Sequence, residues 1–175
     1  MPLSTKYSSF KVTTEHICAY FRERDYGIGF DVFAPFLSLY VGQNLPALSG
    51  LCDFIKPMMY RATNAPAGLP FETEALLREC ALEPSALGLS SRSSSPFDLD
   101  FILRDLEKLL ASSSCPVYAG FEINRKEGIA PVYPAYIEET MRAYTEIGCQ
   151  GLVLSWDLMD APEENILKVS EIAAG

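Results

Sequence analysis

The chain has 175 residues, 49% of them hydrophobic, and a formal net charge of −9. That is enough apolar material for one domain with a core, and it excludes a disordered chain. The acidic balance excludes a nucleic-acid binder, which needs a basic face to displace counterions, and an anionic membrane surface; it leaves a neutral ligand such as a carbohydrate open.

In chain order, Thr13-Thr14-Glu15 is expected to cap a helix running to about Asp25, with Ile17, Tyr20, Phe21 and Arg24 at helical spacing and Tyr26-Gly27 as its stop. A first apolar strand follows over Gly27–Pro35. Asn44–Cys52 reads as a short helix and Asp53–Tyr60 as a second strand, although Pro57 counts against a central position for it. A long connection over 61–97 holds one helical pattern, Pro70–Leu82, and a serine-rich segment, Gly88–Pro96, that reads as flexible. Asp98–Ser112 is the clearest helix, with Phe101, Ile102, Leu106, Leu109 and Leu110 on one face. Pro116–Asn124 is the third strand, Pro134–Ile147 a helix stopped by Gly148, and Gly151–Leu158 the fourth strand. Pro162–Ala173 closes the series as a helix, with Glu163 and Glu164 placed where the helix dipole favours acids.

Strands alternating with helices imply parallel pairing and right-handed crossovers, an α/β fold of four βα units in a single partial barrel domain over 1–175. The five cysteines, Cys18, Cys52, Cys80, Cys115 and Cys149, are odd in number and form no C-x-x-C pair. With His16 as the single histidine they predict no metal site, no cofactor, and buried free thiols in a reducing compartment. The first 15 residues carry no signal-like apolar core, and no run approaches the ~20 residues of a membrane span. A cytoplasmic chain is expected, with secretion open if a longer N-terminal region precedes it.

Strand alternation sorts the side chains. Tyr118, Gly120, Glu122 and Asn124 share one face of the third strand, and the wholly apolar set Val117, Ala119, Phe121 and Ile123 suits a layer of helices. The first set therefore faces a barrel interior or crevice. Asp31 and Lys56 sit at matching depth in their strands. They read either as a buried ion pair in the barrel floor or as a lysine that lowers the pKa of a working carboxylate. Glu122 and Asp157 lie near the carboxyl ends of neighbouring strands, where α/β sheets and barrels bind ligands. They can divide acid and base roles, or be held by backbone donors, and Asp157 can equally open a loop in which Asp160 caps a helix. Tyr60 and Trp156, at strand ends, offer flat apolar faces of the kind that pyranose rings stack on; core packing is the plainer account of each.

Tyr60 ending one strand, Glu122 the next and Trp156 the last resembles the sixth, seventh and eighth strands of retaining glycoside hydrolases with a (β/α)8 barrel. Met58-Met59-Tyr60 is similar to the sixth-strand Met-x-Tyr of chitinase-like barrels, and Val41-Gly-Gln43 through Tyr60 to uncharacterised glycosidase-like barrel proteins. The resemblance covers roughly residues 27–160. It implies Glu122 as nucleophile, Tyr60 as the group hydrogen-bonded to it and Trp156 as the floor of a sugar subsite, with Asn124, Asp31, Lys56 and Arg61 around the ligand. Arg61 stands where chitinases carry an acid. A complete barrel needs about 250 residues and eight strands, so the chain corresponds to a C-terminal half, completed by a missing N-terminal half or by a second copy in a homodimer. The acid/base partner is then Asp157 or a residue of the other half, and the 61–97 connection lies on the active face as a lid. Two other readings stand beside a hydrolase: a non-catalytic carbohydrate-binding barrel, and a small-molecule lyase or isomerase using Lys56.

Overall fold

The computed structural model of the protein describes residues 3–90 and 96–174. Four strands, β1 (Gly29–Phe33), β2 (Phe54–Met58), β3 (Tyr118–Glu122) and β4 (Gly151–Ser155), form one parallel sheet in the order β1-β2-β3-β4. Spatial order equals chain order, so every crossover steps in the same direction. Right-handed crossovers then lay their helices on the same face of the sheet. A doubly wound sheet would reverse at a switch point and cover both faces. The winding seen is that of half a (β/α)8 barrel, as the resemblance implies.

The helices are α1 (Leu3–Arg22), α2 (Pro35–Ser38), α3 (Leu45–Ser49), α4 (Leu69–Glu79), α5 (Leu99–Ser112), α6 (Pro134–Glu146) and α7 (Glu163–Ala174). Asp98 starts α5 by accepting the Phe101 N–H at 2.7 Å, and the apolar stripe then buries Ile102, Leu106 and Leu109. The helix-facing residues of the strands meet these stripes. Val32, Ile55 and Val117 pack with Leu45, Leu48 and Leu109; Ala119, Phe121 and Ile123 pack with Ile102, Leu106, Ile137 and Met141. The apolar parity assigned to the third strand is the one that enters the core.

Four expectations are corrected. The first helix begins at Leu3, and Thr14 does not cap it: its hydroxyl donates to the Phe10 carbonyl at 2.7 Å, a bond available only inside a helix. Pro57 does sit in a central strand. Ile55 and Met59 donate to Pro116 and Gly120 across the β2–β3 seam, and Pro57, midway, has no N–H to add. That seam is accordingly thin, with Met58↔Gly120 its paired position beyond an isolated Ile55↔Val117 bridge. Asp31 and Lys56 are register partners and bond at 2.8 Å, but the Asp31 side chain is 64% exposed. The pair lies on the uncovered face of the sheet and not in a buried floor. Cys80, expected to be buried, is exposed just past the end of α4.

The 61–97 connection carries α4, as expected, and a tight turn over Pro84–Leu87 closed by Gly88 at φ 75°. Leu69, Leu77, Leu87, Leu89 and Phe97 are buried in the main core, which anchors the connection at several points along its length. Much of the serine-rich segment, residues 91–95, lies outside the described residues. No helix among the described residues is long and apolar enough to cross a membrane.

Candidate functional site

Of the four chain segments that leave the sheet at its carboxyl edge, three carry the candidate residues: Met59–Thr63 after β2, Ile123–Asn124 after β3 and Trp156–Asp157 after β4. Backbone groups at strand ends lose their ladder partners and must find others. Here side chains supply them.

Glu122, the last residue of β3, is 0% exposed. Its Oε1 accepts the N–H groups of Ala62 at 2.5 Å and Thr63 at 3.0 Å, with the Thr63 hydroxyl at 3.5 Å. The turn after β2 is thus held by a carboxylate from β3. Its Oε2 and the hydroxyl of Tyr136 are buried beside each other, with no other hydrogen-bond partner for either among the described residues. Burial pushes the Glu122 carboxyl above the ordinary glutamate range, against the opposing pull of Ala62, Tyr136 and Thr63. Burial likewise holds the Tyr136 hydroxyl well above the ordinary tyrosine value, and the neighbouring Glu122 charge adds to it. The resemblance assigns the glutamate's hydrogen bond to Tyr60. In the structure Oε1 is taken by the backbone of the two residues after Arg61, and the tyrosine hydroxyl adjoining the carboxyl is that of Tyr136.

Tyr60 is 4% exposed, with the Lys56 ammonium 5.9 Å from its ring centre. Burial works against the charge on Lys56, but Asp31 and Tyr60 carry its pKa above the ordinary lysine value. Arg61 is 2% exposed and turned away from the uncovered face of the sheet. It donates to the Phe97 carbonyl at 3.0 Å, to Glu139 at 2.7 Å and to the Thr140 hydroxyl at 3.2 Å, and its guanidinium lies 4.9 Å from the Tyr136 ring centre. These bonds tie the strand end to α6 and to the end of the 61–97 connection.

Asn124 is 2% exposed and clamps the exit of β4. Its Oδ1 accepts the Trp156 N–H, and its Nδ2 donates to the Asp157 carbonyl at 2.7 Å. The Ser155–Trp156 peptide between the strand and this clamp is cis. The Trp156 side chain remains open to solvent, the residue being 43% exposed. Asp157 is exposed as well, and its Oδ1 accepts the Met159 N–H at 2.9 Å, so it opens the turn over Leu158–Asp160, the loop entry that the sequence also allows. The two carboxylates proposed as partners therefore differ sharply: one is sealed, the other solvated.

Sequence reasoning singles out neither Tyr136 nor Asn165. Asn165 is 0% exposed and donates to the carbonyls of Ile123 at 2.7 Å and Val132 at 3.1 Å, fixing the chain just before Asn124. An asparagine in the first turn of α7 is an ordinary sight in a sequence, and a tyrosine one turn into α6 reads as core. The signal is the burial, which only the fold reveals.

Among solved structures the chain is similar to the glycoside hydrolase domain of PgaB (BpsB) from Bordetella bronchiseptica, with a TM-score of 0.51 and 14% sequence identity. The match covers 98% of this chain and 42% of that one, so this chain spans less than half the length of the structure it resembles. At this identity the likeness is one of fold. No protein-family model matches the chain, and no curated protein matches it. The α/β half-barrel thus has a counterpart in the fold of part of that domain.

Proposed function

We propose that the carboxyl edge of this half-barrel is a carbohydrate-binding surface, with Trp156 as its stacking platform. The observation that supports it is the Asn124 clamp. A buried side chain fixes the backbone on both sides of an indole that is itself left exposed. Ordering a large aromatic in solvent is costly unless something is to lie on it, and a pyranose C–H face is a suitable occupant. Asp157, exposed beside Trp156, supplies acceptors for sugar hydroxyls. Asn124 and Glu122 act as positioning residues, one for the indole and one for the turn after β2. The net charge of −9 favours a neutral or cationic sugar.

A hydrolytic version of this reading rests on a different observation, the buried Oε2 of Glu122. Attack on an anomeric carbon requires an exposed carboxylate anion. Glu122 as nucleophile therefore requires the Ala62–Thr63 turn to open, and its raised pKa suits proton donation better. The lyase reading is the weakest, because a Schiff-base lysine needs a lowered pKa and Lys56 is held protonated. Closure of the barrel calls for four further strands. The exposed apolar side chains Phe10, Val12, Ile17, Tyr20 and Phe21 of α1 suit such a partner. α1 and β1 share a cavity lined by Phe10, Ile17, Phe30 and Val32.

Calorimetric titration with a panel of neutral oligosaccharides tests the binding reading. Saturable binding is expected, weakened on the order of 10–100-fold by Trp156→Ala and to a smaller extent by Asn124→Ala. Binding unchanged in Trp156→Ala, or absent across the panel with and without the completing half, sinks it. Hydrolysis by the completed barrel that survives Glu122→Gln removes Glu122 from the chemistry.

A further inference from the structure

At the opposite, amino edge of the sheet two thiols face each other. The Sγ atoms of Cys52 and Cys115 are 3.7 Å apart. Cys52 lies two residues before β2 and Cys115 three residues before β3, so the contact bridges the two central strands at the mouth of the thin seam that Pro57 interrupts. Their separation along the chain is 63 residues. We propose that Cys52 and Cys115 are a disulfide-forming pair, an oxidisable staple across the β2–β3 seam.

Two observations support the pair beyond proximity. Neither sulfur is locked elsewhere: Cys52 Sγ makes one long contact, 3.5 Å to the Leu48 carbonyl, and Cys115 Sγ one of 3.8 Å to the Ser113 hydroxyl. Access is also asymmetric in the useful sense. Cys115 is half-buried and can meet a small oxidant, whereas Cys52 is 7% exposed and meets mainly its neighbour. With a low-molecular-weight disulfide such as oxidised glutathione, the Cys115 thiolate attacks one sulfur and releases one glutathione thiol. The Cys52 thiol then loses its proton and attacks Cys115 Sγ, releasing the second. Two protein thiols become one disulfide and one oxidised glutathione becomes two reduced ones. The second step is slow, because burial raises the pKa of the Cys52 thiol. Cys18 on α1, buried close to Cys52, is the competing thiol.

Closing a loop of this length constrains the unfolded chain strongly, so the oxidised protein is expected to melt roughly 5–15 °C above the reduced one. The experiment incubates the chain in oxidised glutathione and reads the intact mass and the proteolytic peptides. A mass lower by two hydrogens, a Cys52–Cys115 cross-linked peptide, and its persistence in Cys18→Ser but loss in Cys52→Ser and Cys115→Ser are the expected results. A reaction that stops at glutathionylated Cys115, a cross-link that uses Cys18, or no oxidation at all overturns the proposal. The pair lies at the far end of the strands from Trp156, so its failure leaves the carbohydrate reading untouched.

Discussion

The two ends of the same four strands are finished by opposite devices. At the carboxyl edge, backbone groups are taken by buried side chains: Glu122 holds Ala62 and Thr63, Asn124 holds Trp156 and Asp157, and Asp105 holds Phe36 at the start of α2. At the amino edge the corresponding acceptors are mostly exposed. Asp53 takes the Ile28 N–H at 2.7 Å and Gln150 takes the Val117 N–H at 2.7 Å, both from solvent-facing positions. Water can replace an exposed acceptor but not a sealed one. The amino edge is therefore built to tolerate change, and the carboxyl edge to fix a surface.

The sharpest break in this comparison comes at Glu122. Glu122→Ala removes the buried acceptor shared by the Ala62 and Thr63 N–H groups and opens a cavity, and a loss of about 3–5 kcal/mol is expected in urea unfolding. Glu122→Gln keeps the accepting oxygen and discards a charge that burial disfavours, so its stability is expected within about 1 kcal/mol of the parent. Equal, large losses in both variants would mean that the charge itself holds the turn.

Asp105 gives the next effect, one that depends on pH. It is 4% exposed, and burial raises its carboxyl from the ordinary 3.8 to about 6 against the pull of the Phe36 N–H and Lys108. The folded chain thus holds this proton more tightly than the unfolded chain. Its contribution to stability is fully present below pH about 3.8 and is lost as the pH rises through about 6. The change is on the order of 3 kcal/mol. Asp105→Asn, which keeps an acceptor for Phe36, is expected to flatten this part of the profile. An unfolding free energy with the same slope over pH 4–6 in the variant assigns the slope to other groups. Glu122, shifted in the same direction, is the first of them.

Much of the carboxyl edge was legible in the sequence because strands announce themselves by apolar runs and parity. Glu122 and Asn124 on one face, with Ala119, Phe121 and Ile123 on the other, follow from alternation alone. What each polar group bonds to did not follow. The partners of Glu122 lie 59 and 60 residues away, at a turn whose position depends on how far β2 runs. The ion pair of Asp31 and Lys56 was legible through matched depth, but its exposure was not, since that depends on what covers the other face. The resemblance places Arg61 around the ligand; its bonds to Glu139 and Thr140 arise from the docking of α6, which local sequence does not encode.

The smallest effect is expected at Gln150. Its Oε1 accepts from Val117 and its Nε2 donates to the Gly148 carbonyl at 2.6 Å, so it finishes the amino end of β3 as Glu122 finishes the turn after β2. The geometry is no worse than that at Glu122; the exposure is what differs. Gln150→Ala should therefore cost only about 0.5–1 kcal/mol, because water takes over both bonds. A loss comparable to that of Glu122→Ala would show that the hydrogen bonds themselves, and not their burial, set the cost at both edges. The contrast between a tolerant amino edge and a fixed carboxyl edge would then collapse, and with it the physical reason for seeking the ligand surface beside Trp156.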